Sequence, residues 1–201
     1  MSGLKAEPED LPMQTELTTG TPETQVRHAA ERSAVQRPCS TFTITNRLIA
    51  LRGRMVVLDA SGEQLASAQA RLLAWRETWD VQATQGRVRL RRKWLTLMPQ
   101  WQVDGDLGEF SIRRKWAWFT RRYRIHGGPF EGLVLEGNFW DLRMDGTQDD
   151  SLVLRTRGHV LSLRDRHEVE VFDASPAAML FAIAAMVALL ADRRDKRKKD
   201  E

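Results

Sequence analysis

The chain has 201 residues, 42% hydrophobic and 29% charged, with a formal net charge of +4. That composition excludes a wholly disordered chain and allows one domain with a sizeable core plus a tail. A single cysteine, Cys39, excludes an internal disulfide and a thiolate metal cluster, so a reducing, cytoplasmic setting is expected and the thiol reads as inert.

Residues 1–38 carry four basic and six acidic groups, are rich in Pro, Thr, Glu and Gln, and hold no Phe, Trp or Tyr. Such a segment buries too little surface to offset its ordering entropy, which predicts a disordered N-terminal tail. It lacks a basic stretch followed by an apolar one, so no secretory leader is expected. From Thr41 to Asp173 the texture changes to short alternating stretches. In chain order, FTITN, RMVVLD, RLLAW, WDVQAT, RVRLRRKW, WQVDG, FSIRRKW, RYRIHG, LVLEGNFW, LRMDG, LVLRTRG and VEVFD each read as a strand. Between them ASGE, TQG, DGDLG, HGGPFEG and DGTQDD supply turn residues.

The strands also repeat. An apolar–x–apolar arm ends at Val57, Val81, Val103, Ile125, Met144 and Val171, at spacings of 24, 22, 22, 19 and 27 residues. A period near that length with two strands per unit gives six hairpins and twelve strands. Sequential hairpins make an up-and-down antiparallel sheet, and closing it removes exposed edges.

After the last strand comes SPAAMLFAIAAMVALLADRRDKRKKDE, residues 175–201. Ser175 suits an N-cap and Pro176 the first helical position, so a helix is predicted over 176–191. Sixteen residues span roughly 24 Å, against about 30 Å for a bilayer core. A helix apolar all round and too short to span is a core helix. A twelve-strand barrel is too wide for its own side chains to fill, and this helix supplies the filling. The fold class is therefore mainly β: a twelve-stranded antiparallel barrel over residues 39–192 around its C-terminal helix. Residues 193–201 form a charged tail, read as a solvated helix extension or a weak contact with anionic membrane.

Six hairpins, GNFWD at Gly137–Asp141 and a terminal all-apolar helix together resemble the LURP-one-related proteins. That family belongs to the tubby-like C-terminal superfamily, with the phospholipid scramblases. The resemblance covers about Thr41 to Asp192 and implies the same barrel around a central helix. It brings no catalytic constellation. Tubby relatives bind phosphoinositide headgroups through basic residues, and scramblases are associated with membranes. Residues 1–38 have no Pro-rich or Cys-rich run like that of scramblases.

The candidate site is a run of cations with a period of two. Arg87, Arg89, Arg91 and Lys93 share one strand face, with Val88, Leu90 and Trp94 on the other and Arg92 as the exception. Arg113 and Lys115 occupy the same place in the next unit, and Arg121, Arg122 and Arg124 follow. If these strands are neighbours, Arg87, Arg89, Arg91, Lys93, Arg113, Lys115, Arg122 and Arg124 form a cationic strip whose guanidiniums match phosphate oxygens. The plain alternative is a solvated face paired with Glu77, Asp80 and Glu109. The partners expected are an anionic phospholipid or membrane surface, with nucleic acid on the same Arg- and Trp-rich strands and a scramblase-like membrane association as alternatives. The seven tryptophans are expected in the barrel wall.

No metal or other cofactor is expected. His28, His126, His159 and His167 lack ligand spacing, and the acidic turns around Asp104–Glu109 and Asp145–Asp150 lack the calcium-loop pattern, leaving turn formation or weak calcium binding. No nucleophile elbow or phosphate-cradling loop is present, so an enzyme is not expected. The overall expectation is a monomeric, non-enzymatic binding module, cytoplasmic and peripheral at a membrane.

Overall fold

The computed structural model describes residues 36–47, 53–71, 75–93, 98–115, 121–138, 142–158 and 166–200, with the side chains of 46, 47 and 196–200 left out. The expected N-terminal tail, apart from residues 36–38, lies outside them. Twelve strands follow in order: β1 Ser40–Arg47, β2 Arg54–Asp59, β3 Gln64–Ala70, β4 Thr78–Ala83, β5 Gly86–Arg92 and β6 Gln100–Gly105, then β7 Phe110–Lys115, β8 Arg121–His126, β9 Val134–Asn138, β10 Arg143–Gln148, β11 Ser151–Gly158 and β12 Arg166–Val171. Each pairs antiparallel with its sequence neighbours, and β1 pairs with β12 to close the barrel. Closure leaves no open edge.

Alternation sets the two faces. Along β5, Val88 and Leu90 are buried while Arg87 and Arg91 are exposed. The same phase runs through the neighbours, with Leu90 opposite Val103 and Trp101 opposite Ile112. A one-residue slip would turn every arginine inward, so the buried face fixes the register.

The helix α1 fills the barrel. It runs over Pro176–Asp200, and residues 178–192 are buried. Its start is as expected: the Ser175 Oγ accepts from the Ala178 N–H at 3.1 Å, and the Asp173 carboxylate accepts from the Ser175 N–H at 2.8 Å. Its end lies beyond Ala191, because the charged residues that follow continue the helix, as the helix-extension reading of the tail expects. With 25 residues α1 is long enough, and over Pro176–Asp195 apolar enough, to cross a bilayer. Burial, not length, is what makes α1 a core helix: 83% of its most apolar window is enclosed by the strands.

One strand expectation is corrected. The third strand is Gln64–Ala70, whose inward residues are the small Ala66 and Ala68, while the expected RLLAW falls mostly outside the described residues. The bends at one end are tight, as expected. Asp149 and Asp150, both at positive φ, make the two-residue turn between β10 and β11, so these carboxylates serve turn geometry. In the GNFWD segment, Gly137 has φ +152°, and a Cβ there would sit 2.1 Å from the Arg143 carbonyl oxygen of the paired strand. Only glycine fits.

Candidate functional site

The eight expected site residues all lie on the outward phase of β5, β7 and β8, or just past β5 in the case of Lys93. They do not form one strip. β6 stands between β5 and β7 and places Gln102 and Asp104 on the same face. The β5 group is largely neutralised. Arg89 meets Asp80 at 2.7 Å, Arg71 meets the other oxygen of Asp80 at 2.6 Å, and Arg91 meets Asp104 at 2.9 Å. Burial tends to raise Asp80, but hydrogen bonds from Arg89 and Arg71 win and hold it below the usual carboxylate range. Arg87 and Arg89 border an outer groove of about 490 Å³ shared with Gln69, Asp80 and Asp104. Arg91 and Lys93 border a smaller one of about 200 Å³ with Arg76 and Glu109.

The β7–β8 group is different. Arg113 sits directly across from Arg124, and Lys115 from Arg122. Arg122 turns away to Glu136 on β9, at 2.6 Å. Among the described residues no carboxylate lies within ion-pair distance of Arg113, Lys115 or Arg124, and Arg113 donates only to the Ser111 hydroxyl at 3.2 Å. Like charges directly opposite are destabilising. His126, one pair along from Arg113, registers the local field. Burial, Arg113, Arg124 and Lys115 push its pKa down, against the pull of Glu131. Elsewhere on the outer wall, Arg155 meets Asp145 at 2.8 Å and Arg157 meets Glu170 at 3.3 Å.

A second cluster was not foreseen. Where α1 leaves the barrel, Asp192 is buried and accepts from the Trp101 indole at 3.0 Å and the Tyr123 hydroxyl at 3.2 Å. Arg92 approaches it to 3.7 Å, pairs with Glu77 at 3.0 Å and with Asp195, and lies over the Trp101 ring. Burial raises the Asp192 pKa to about 6, against the pull of Arg92. Burial also works against the charge on Arg92, but Asp192, Asp195 and Glu77 outweigh it and keep its pKa above the ordinary value. The hint in the sequence was Arg92 itself, the one charge out of phase on β5. Arg114 and Arg121 share that inward phase, opposite Tyr123 and Gly137. The Arg114 Nε is enclosed without an acceptor, and burial and then Arg114 lower the pKa of Arg121.

The tryptophans divide. Trp79 and Trp101 are sealed in the wall as expected, Trp75 is 90% exposed and corrects that expectation, and Trp94, Trp116, Trp118 and Trp140 lie outside the described residues. Among the described residues no three or more His, Cys, Asp or Glu are grouped to hold a metal ion.

A closed twelve-strand barrel packed with one apolar helix, and bearing its polar groups on the wall and at the helix exit, defines a class of β-barrel filled by its own helix. The family model for LURP-one-related proteins matches residues 40–189, and the chain belongs to that family. Comparison with curated proteins and with solved structures finds no match.

Proposed function

We propose that the chain is a non-enzymatic binding module that takes an anionic phospholipid headgroup at Arg113, Lys115 and Arg124, peripherally at a cytoplasmic membrane face and as a monomer. The observation that carries this reading is the cross-strand pair Arg113 and Arg124, two guanidiniums opposed with no carboxylate between them. A phosphate lying across the pair would remove their repulsion through charge-assisted, two-pronged hydrogen bonds. Arg87, Arg89, Arg91, Lys93 and Arg122 are the outer part of the field, since Arg89, Arg91 and Arg122 already hold carboxylates. Membership of the LURP-one-related family supports a binding module and leaves its ligand open. Binding single-stranded nucleic acid on the same strands calls for aromatic faces beside the arginines. Trp79 on β4 and Trp101 on β6, the described tryptophans of the strands beside them, are fully buried, which favours the lipid.

Co-sedimentation with phosphatidylcholine vesicles, with and without phosphatidylserine, tests the reading. Wild type is expected to bind only the anionic vesicles. Arg113→Glu with Arg124→Glu should abolish binding, while Arg89→Glu with Arg91→Glu should weaken it slightly. Equal binding by all three proteins would sink the proposal. Retention on RNA or DNA at low salt, with none on vesicles, would replace it by the nucleic-acid reading.

A further inference from the structure

An up-and-down barrel sends alternate connections to opposite ends, and here the two ends carry opposite charge. The end where α1 begins has connections 60–63, 84–85, 106–109, 127–133 and 149–150. They hold Glu63, Asp106, Glu109, Glu131, Asp149 and Asp150, and no Lys or Arg. The end where α1 leaves is basic. Arg71 and Arg76 flank the connection after β3, Lys93 follows β5, and Lys115 and Arg121 close β7 and open β8. The last turns of α1 add Arg193, Arg194, Lys196, Arg197, Lys198 and Lys199, against Asp192, Asp195 and Asp200, by sequence.

The same end presents Trp75, 90% exposed and the large hydrophobic residue singled out by its exposure among the described residues.

We propose that the barrel docks end-on against an anionic phospholipid bilayer, with the end where α1 leaves facing the lipid and Trp75 entering the headgroup interface. The inference rests on the lipid reading above and specifies how the surface meets the molecule. Tryptophan favours the membrane interface, where its ring is buried and its N–H stays wet. Each Lys or Arg near an anionic surface adds to the attraction. The acidic turns at the far end are repelled by that surface, so the charge distribution itself orients the barrel. A second copy on the same end would oppose two basic rims, which selects the bilayer over a dimer. Lys115 and Arg122 stand at this rim, and Arg113 and Arg124 lie farther up the same wall, flanking the docked face.

The test places a polarity-sensitive fluorophore at one end or the other. In a Cys39→Ser background, single labels go on Trp75→Cys or on Ser151→Cys, the latter at the acidic end. With vesicles of equimolar phosphatidylcholine and phosphatidylserine, the label at 75 should shift to the blue and the label at 151 should not. Trp75→Ala, unlabelled, should bind these vesicles several-fold more weakly with unchanged thermal stability. If wild type sediments with the vesicles but the label at 75 does not shift, or the two labels shift alike, end-on docking is overturned and lateral headgroup binding stands. If wild type does not sediment with anionic vesicles, both readings fall.

Discussion

The two ends of the barrel are sealed by different physics. At the end where α1 begins, Phe181 stacks on Phe130 at a centroid distance of 4.4 Å and meets Phe110 at 5.9 Å. That seal is wholly apolar and insensitive to pH, and the turns above it are acidic. At the end where α1 leaves, the seal is the Asp192 cluster, made of a carboxylate, an indole, a phenol and a guanidinium. An apolar seal contributes in proportion to the area it hides. A polar seal is stable only while every member is satisfied, so it responds to the charge state of its members. The contrast separates an end whose seal is indifferent to charge from one whose seal depends on it.

The largest effect should come from breaking what both ends share. Ile183 lies in the enclosed part of α1, fully buried. An isolated carboxylate there costs several kcal/mol, comparable with the 5–15 kcal/mol that holds a typical domain together. Ile183→Asp should therefore fail to fold, seen as loss of the β signal in circular dichroism. A folded, soluble variant would refute α1 as the filling of the barrel.

Asp192→Asn sharpens the comparison from the polar end. The folded-state pKa of Asp192, about 6, is above its unfolded value of 3.8. The folded state therefore keeps a proton that the unfolded state has released, over the window from about pH 4 to 6. Its stabilising contribution is complete below the unfolded value and is lost as pH rises through 6. At about 1.4 kcal/mol per pKa unit, that loss is roughly 3 kcal/mol. Denaturant titrations across the window should show stability falling with pH in the wild type and a flatter profile in Asp192→Asn. Identical profiles would mean that Asp192 stays charged throughout.

The smallest effect has an unusual sign. Arg124→Glu converts the opposed pair with Arg113 into an attractive one and should raise stability by about 0.2–1 kcal/mol, read as a small rise in Tm. A surface charge whose removal stabilises the fold is kept for something other than the fold. A loss of stability would show that Arg124 is part of the structural wall.

The barrel and its filling were legible because they rest on patterns that repeat. Val57, Val81, Val103, Ile125 and Val171 each mark an inward position and all are buried. β3 was missed because its inward residues are alanines, which carry little hydrophobic signal, while the neighbouring Arg71–Trp75 has the apolar letters of a strand. The readings that carry β5, β7 and β9 on to Trp94, Trp116 and Trp140 end outside the described residues. The cationic residues were legible as a list but not as a site. Which arginines keep a partner depends on Asp80, Asp104 and Glu136, acids on the neighbouring strands that only the register brings within reach. Asp192 was hidden more deeply, since the first charge after an apolar run reads as the start of a tail. Its burial follows from a helix that stays inside the barrel for one residue beyond its last alanine.

The order of elements along the chain adds a kinetic consequence. The wall precedes its filling, so a growing polypeptide presents all twelve strands before the residues that cover their inner faces have been made. Closure then joins β1 to β12, the pair most distant in sequence, around a helix that follows both. Non-local assembly of this kind is slow and leaves apolar surface open while it waits. During synthesis the barrel therefore waits on α1, the last element to be made.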